Sequence, residues 1–184
     1  YSGTGWRNAD MLFNSPHNSA WNKMSVDSND EVNVIWYHKY YDPPGVSDVV
    51  AMRKSVGASW PSNYTNLSNR SLQESIHPAI RVKNRHAYAV WMEGTSGGWN
   101  LRFSEASNWS WTSPISIVGV GYYPAMALDS QGGVHVAYSN RSGNFHVISR
   151  EGNSWGSSRV VSGGTAPLQF GDIRHHSGFL VATW

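Results

Sequence analysis

The fold is decided by the fifteen residues from Pro124 to Tyr138, PAMALDSQGGVHVAY. Two short apolar runs flank a polar turn that ends in Gly132 and Gly133, and this pattern is typical of a β-hairpin. Proline at the first position of a strand and glycine in the turn both suit such a hairpin. The second run closes on an aromatic residue, Tyr138.

The second run of this hairpin recurs along the chain. Its counterparts are VNVIW at 32–36, AYAVW at 87–91 and LVATW at 180–184. The closing residues Trp36, Trp91, Tyr138 and Trp184 lie 55, 47 and 46 positions apart. A near-constant period in this range indicates a repeat architecture.

The sequence around each run repeats as well. The segments that follow, 49–55, 100–104 and 145–149, each end in a serine, and a tryptophan stands five or six positions later at Trp60, Trp109 and Trp155. A last short apolar run follows at 114–118 and 159–161. Four short strands per unit form the blade of a β-propeller, so we predict an all-β propeller of four-stranded antiparallel blades. A β-sandwich is the alternative, but it does not require the whole pattern to recur in order.

The phase of the repeat predicts the domain organisation. Residues 17–76, 77–121 and 122–166 would be full blades, residues 1–16 the end of a blade, and residues 167–184 the first two strands of another. The two ends could share one split blade in a four-bladed ring, or the chain could be part of a six- or seven-bladed ring. We favour the second arrangement, because an unclosed ring leaves sheet edges exposed. Further blades or another chain would then complete the ring.

Composition excludes several classes of function. The 14 basic and 12 acidic residues are interspersed, which argues against nucleic-acid binding. We expect no membrane span, since no apolar run approaches about 18 residues. The chain has no cysteine, and His175 and His176 would point to opposite faces of a strand, so we expect neither a metal site nor a cofactor. Asn-x-Ser/Thr sequons, three of them within 63–71, are compatible with a secreted protein.

The serine–tryptophan segments resemble the Asp-box of sialidase-like propellers, the bacterial neuraminidase repeat family. That motif reads roughly Ser-x-Asp-x-Gly-x-x-Trp, and the nearest match is Ser149 to Trp155, which has Glu in place of Asp and one residue fewer. Ser104 to Trp109 is more degenerate, and 55–60 lacks an acidic residue. The resemblance is one of fold, and it implies that these serines and tryptophans are structural.

The resemblance also implies that a ligand would bind on the side of the ring where strand two connects to strand three. Flat aromatic faces can cover the apolar face of a sugar, and polar side chains can bond its hydroxyls. We therefore predict an extracellular, non-catalytic module that binds a glycan or another cell-surface ligand. Its candidate binding residues are His38, Tyr40, Tyr41, Asp42, Glu93, Trp99 and Arg141.

Three other functions remain open. Sialidases, by the same resemblance, use an arginine cluster for the substrate carboxylate, and Arg53 and Arg102 are expected at equivalent places on third strands, with Arg81 on a first strand. A polysaccharide lyase would need a His/Tyr pair, for which His38 with Tyr40 or Tyr41 could serve. A purely structural or protein-binding propeller is the third possibility.

Overall fold

The computed structural model describes residues 18–40, 46–69, 73–163 and 171–183, and all regular elements in these ranges are strands. The first sheet holds β1 (Ser19–Val26), β2 (Val32–Lys39), β3 (Ser47–Lys54) and β4 (Thr65–Asn66). The second holds β5 (Ser75–Lys83), β6 (His86–Thr95), β7 (Gly98–Ser107), β8 (Ser110–Trp111) and β9 (Ile115–Val118). The third holds β10 (Tyr122–Leu128), β11 (Val134–Ser139), β12 (Phe145–Glu151), β13 (Ser154–Trp155) and β14 (Arg159–Ser162). The fourth holds β15 (Asp172–His176) and β16 (Phe179–Thr183).

Within each sheet the strands are antiparallel and follow chain order. In the second and third sheets the two short final strands both pair with the third strand. The first strands of successive sheets lie side by side, with β1 beside β5, β5 beside β10 and β10 beside β15. This arrangement around a common channel is that of propeller blades, and it confirms the predicted fold class. In the described part of the chain no helix is long and apolar enough to cross a membrane.

Apolar seams between neighbouring sheets hold the blades together. In the seam between the second and third sheets, Leu101 and Phe103 pack against Val136 and Tyr138. Comparable clusters join the first sheet to the second and the third to the fourth. The repeat aromatics Trp36, Trp91 and Tyr138 are all buried, as residues that fill the core should be. Trp184 and the predicted blade end at 1–16 lie outside the described residues.

The expectation that the repeat serines share one structural position is wrong. Ser104 pairs with Ala89 and Ser149 with His135, which are different register positions, and Ser55 follows the end of β3. The tryptophan equivalent to Trp155 is Trp111, because both lie in the two-residue strands that pair back onto the third strand. Trp109 instead lies in the turn before that strand, at φ 69°. In the sequence, Trp109 and Trp111 both follow Ser104 closely, and the repeat pattern alone favours Trp109 because it is the nearer of the two.

Candidate ligand-binding site

The first strands of the first three sheets share one irregularity. Ala20 pairs with Tyr37 and Lys23 with Ile35, so β1 carries one more residue than β2 between these pairs. The same β-bulge occurs in β5 and β10. Each bulge lies opposite the repeat aromatic of the second strand, which is Trp36, Trp91 or Tyr138.

Three ring-bearing residues occupy these bulges in a left-handed backbone conformation. Their φ angles are 55° for Trp21, 51° for His77 and 51° for Tyr123. Such values are uncommon for residues other than glycine, and bulges often re-aim a side chain next to a functional site. Pro78 and Pro124 follow the second and third of these residues, where a bulge tolerates the missing N–H.

The bulges bring the three rings into one row. The ring centroids of Trp21 and His77 are 4.4 Å apart, and those of His77 and Tyr123 are 4.8 Å apart. Trp21 is 39% exposed, and the other two rings are half-buried. The row lines a cavity of about 350 Å³ at the centre of the described arc of blades.

Charged side chains line the same cavity. The Asp172 carboxylate lies 2.9 Å from Arg174 Nε and 3.8 Å from Arg81 Nη2, so two guanidinium groups share one carboxylate. Lys23 adds a third cation. Asp172 is the only carboxylate among the described residues that line this cavity, which therefore carries a net positive charge.

Burial affects the titration of two of these groups. It lowers the pKa of His77, and the nearby Lys23 lowers it further, so the imidazole is neutral at pH 7. Burial also lowers the pKa of the Arg81 guanidinium, but the Asp172 carboxylate opposes this effect. Arginine remains charged in proteins, so Arg81 still presents a cation to the cavity.

Two of the predicted site residues, His38 and Tyr40, lie together at the end of the first sheet, away from this cavity. Their ring centroids are 5.0 Å apart, and Tyr64 covers His38, which is only 2% exposed. Burial raises the pKa of Tyr40, and so do its interactions with Tyr64 and Asp48. The surroundings are those of a packed polar cluster. Tyr41 and Asp42 lie outside the described residues.

The remaining predicted residues are spread over the second and third sheets. Glu93 is 3% exposed, with its Oε1 atom 3.5 Å from Arg102 Nε. Trp99 is half-buried and lines a shallow groove at the rim. Arg141 is exposed in the turn between β11 and β12. Among the five described candidates, His38 and Tyr40 are in contact with each other.

The predicted equivalence of Arg53 and Arg102 is also wrong. Arg53 pairs with Asn33 across the sheet, whereas Arg102 pairs with Trp91, three positions further along the second strand of the repeat. Arg53 lies 3.6 Å from Glu31, beside the turn between β1 and β2, whereas Arg102 lies 3.5 Å from Glu93, towards the hairpin between β6 and β7. The two arginines therefore occupy different positions along the third strands of their own sheets.

The bulge residues are not among the predicted site residues, because those were all taken from the connections between second and third strands, whereas the bulges lie in first strands. A signal was nevertheless present. Trp21, His77 and Tyr123 each stand three positions before an apolar residue of the first strand, namely Met24, Ile80 and Met126. Among the described residues, no group of three or more His, Asp or Glu side chains could hold a metal ion.

Searches for relatives by sequence found none: no family model and no curated protein matches the chain. Solved structures do match by fold. The Trypanosoma rangeli sialidase in complex with sialic acid superposes with a TM-score of 0.62 at 14% identity, over 90% of this chain and 34% of that one. A thermostable family-43 glycoside hydrolase gives 0.57 at 10% identity, over 85% of this chain and 62% of that one.

A third match is the family PL25 ulvan lyase bound to -[GlcA(1-4)Rha3S]-, with a TM-score of 0.57 at 12% identity over 84% of this chain and 46% of that one. At such identities the likeness establishes the β-propeller fold alone. The chain spans less than two thirds of the length of each of these three proteins.

Proposed function

We propose that this chain is a carbohydrate-binding propeller whose ligand lies across the row of Trp21, His77 and Tyr123. The observation that carries the proposal is the same bulge in three successive blades, which aims three rings at one cavity. Aromatic rings with neighbouring hydrogen-bonding groups are the features expected of a sugar site. The strained backbone at all three positions is typical of functional sites.

The charge of the cavity favours a sugar that bears a carboxylate or a sulfate group. Three cations, Lys23, Arg81 and Arg174, line the cavity against a single carboxylate, and guanidinium groups bind such anions well. The fold relatives are compatible with this preference. One of them is in complex with sialic acid, and another is bound to a chain of GlcA and Rha3S.

A binding role without catalysis fits the carboxylates of the described cavity. Glycoside hydrolysis usually needs two carboxyl groups on either side of the scissile bond. Asp172 is a single carboxylate in this part of the structure, and Arg81 and Arg174 both interact with it. A lyase centred on His38 would need that buried ring to become accessible.

A glycan array followed by calorimetric titration tests the binding proposal. We expect acidic oligosaccharides to bind and neutral ones to bind more weakly. Trp21→Ala should weaken binding at least about tenfold, because the largest and most exposed ring of the row is lost. Phe179→Ala, which removes another exposed ring that does not line the cavity, is the matched control. The absence of binding to any glycan would overturn the proposal.

A second pair of variants separates this cavity from the loop site predicted by sequence. Arg174→Ala should weaken binding of acidic glycans and reduce its dependence on salt, because a cation near the ligand is removed. Arg141→Ala also removes an exposed arginine, but from the turn between β11 and β12, and should have no effect. The opposite result would place the site at that turn.

The catalytic alternative is that the chain is part of a sialidase-like hydrolase or a lyase, and the fold relatives fit it equally well. Incubation of the glycans that bind with the protein tests it directly. Release of reducing sugar would indicate a hydrolase, and ultraviolet absorbance of unsaturated ends would indicate a lyase. If such activity depended on His38 and Tyr40, replacing both would abolish it.

Two further expectations stay predictions. One is secretion, which mass spectrometry of the culture medium and of glycans at 63–71 would test. The other is that more blades or another chain complete the ring. Phe179 and Val181 on β16 are 73% and 51% exposed, and no described strand pairs with the far edge of β16. Light scattering would show whether the chain associates in solution.

A further inference from the structure

The aromatic row continues beyond the central cavity towards the rim of the propeller. The ring of Tyr122 lies 6.5 Å from that of Tyr123. The Tyr122 hydroxyl lies close to Gly98, since a methyl group added at Gly98 would be 3.6 Å from it. Gly98 and Trp99 in turn line the shallow groove at the rim. Tyr122 therefore connects the central cavity to the groove.

The groove is held by backbone bonds of the hairpin between β6 and β7. The amide of Gly94 donates to Glu74 O at 2.8 Å, and that of Gly121 donates to Trp99 O at 2.8 Å. A methyl group added at Gly94 would be 3.6 Å from the Trp99 ring, so the indole lies directly against this backbone. The indole is thus fixed in place before any ligand arrives, which lowers the entropic cost of binding.

We infer that the site takes an extended glycan chain, which runs from the ring row over Tyr122 to the groove at Trp99. This inference rests on the proposed sugar-binding function and deepens it. The ring centroids lie 4.4, 4.8 and 6.5 Å apart in turn, distances at which neighbouring rings are in contact, so Trp21, His77, Tyr123 and Tyr122 form one continuous row. A single terminal sugar would cover only part of this path.

The charges along the path give the chain a direction. Lys23, Arg81 and Arg174 lie at the channel end, whereas the groove contains Glu74 together with the neutral Gln73 and Thr95. An acidic sugar unit is attracted to the cations and repelled by Glu74. The chain therefore places its acidic unit in the channel and a neutral unit in the groove, where amide and hydroxyl groups can bond its hydroxyls.

Titration with length ladders tests the inference. The probes are oligogalacturonates and xylo-oligosaccharides of one to five units, together with ladders of any glycan that binds on the array. For the ladder that binds most tightly, we expect affinity to rise at least about tenfold from one unit to four and then to level off. Trp99→Ala should abolish that gain but leave the affinity for one unit unchanged. Trp21→Ala should weaken binding at every length.

Trp99 also packs against the core, so a second variant is needed to distinguish the loss of a ligand contact from misfolding. Trp99→Phe keeps an aromatic face and should retain most of the gain with length, and thermal unfolding of both variants should be cooperative. Affinity that is independent of length, or an equal loss at one unit and at four in Trp99→Ala, would overturn the extended path. Failure of the unaltered protein to bind any ladder would instead overturn the proposed function.

Discussion

Met24 and Met126 occupy the same place in two blades but have opposite surroundings. Both lie on first strands, and they pair with Val34 and Val136 respectively. Met126 is fully buried, at 0% exposure, whereas Met24 is 62% exposed. The corresponding residues of the second and fourth sheets, Ile80 and Ile173, are also at 0%.

The difference arises from the neighbouring sheet. Met126 packs in the seam between the second and third sheets, beside Val90 and Phe103. No described sheet lies against the face of β1 that carries Met24, although Trp60 and Tyr64 cover the outer part of the same blade. In a repeat protein, each unit supplies half of the next unit's core, so position in the repeat alone does not determine burial.

Alanine at these two positions tests the comparison most directly. Met126→Ala should lower the free energy of unfolding by about 2–5 kcal/mol, because it leaves a cavity in a sealed seam. Met24→Ala should change it by less than about 0.5 kcal/mol. Urea denaturation of both variants measures the difference. Equal losses would mean that the exposed face of β1 is covered in solution.

The ion pairs of the two seams give a second contrast. Arg150 binds Glu105 of the second sheet through two bonds of 2.6 and 2.8 Å, and its guanidinium lies 5.3 Å from the centre of the Phe103 ring. Arg150→Ala should lower the free energy of unfolding by about 1.5–3 kcal/mol, because a charge-assisted ion pair across the seam is lost.

Arg53→Ala is the matched variant for the first seam. Its 3.6 Å contact with Glu31 is within one sheet, and it reaches the second sheet only by its position 5.6 Å from the Trp109 ring centre. We expect a loss below about 1 kcal/mol. Thermal unfolding of each variant measures the two losses of stability. A larger loss for Arg53→Ala than for Arg150→Ala would contradict the prediction.

Steric room at the second seam provides a third test. A methyl group at Gly121 would be 2.7 Å from Leu101 Cγ and 3.1 Å from Tyr138 Cδ2, whereas one at Gly119 would meet nothing within 4 Å. Gly121→Ala should therefore destabilise the protein by about 1–3 kcal/mol, and Gly119→Ala should not. Chemical denaturation checks both. A neutral Gly121→Ala would show that the seam is loosely packed.

The smallest difference in stability is expected between the turns that precede the second strands of the third and first sheets. Burial alone would raise the pKa of Asp129, but bonds from the Gly133 amide, His135 and the Gln131 amide lower it overall. A lowered pKa contributes stability that is fully present above the unfolded value of 3.8 and is lost as pH falls through the folded value. Asp129→Asn should lower the free energy of unfolding by about 1 kcal/mol at pH 7. It should also make that free energy fall less steeply between pH 7 and pH 3.

Asp27 caps the equivalent turn of the first sheet and is the control for this prediction. Its pKa is also lowered overall: burial opposes the shift, and bonds from the Glu31 and Asn29 amides outweigh that effect. It has no counterpart of the Asp129–His135 contact of 3.2 Å, because Asn33 stands at the equivalent place. Asp27→Asn should therefore change the pH dependence of the free energy of unfolding less than Asp129→Asn does. Denaturation of both variants at pH 3 and pH 7 measures this, and a larger change for Asp27→Asn would contradict the prediction.

The sequence predicted the fold well because each hairpin carries its own pattern of strand, turn and aromatic residue. It did not predict which candidate residues would be buried, because strands extend beyond the repeated pentapeptide. β2 continues to Lys39 and β6 to Thr95, so His38 and Glu93 lie in paired strands instead of loops. Their polar character suggested exposure, but contacts with other strands, such as Glu93 with Arg102, account for their burial.

The bulges could not be predicted for a different reason. One extra residue in a strand leaves no mark in composition, and it emerges only when the register of both strands is known. Proline after His77 and Tyr123 was consistent with the start of a strand as well as with a bulge. The row of rings depends on blades that are about 46–56 positions apart in the sequence, and the packing of whole sheets brings them together.

The repeated bulge also has a consequence for how such a protein can change over evolutionary time. Its three rings stand on backbone that strand pairing holds in place, and only part of each ring is buried. Tyr123 also packs against the seam between the second and third sheets, so aromatic replacements best preserve the scaffold there. The same architecture can acquire new ligand preferences through three codons, while the hairpins that build the blades remain unaltered.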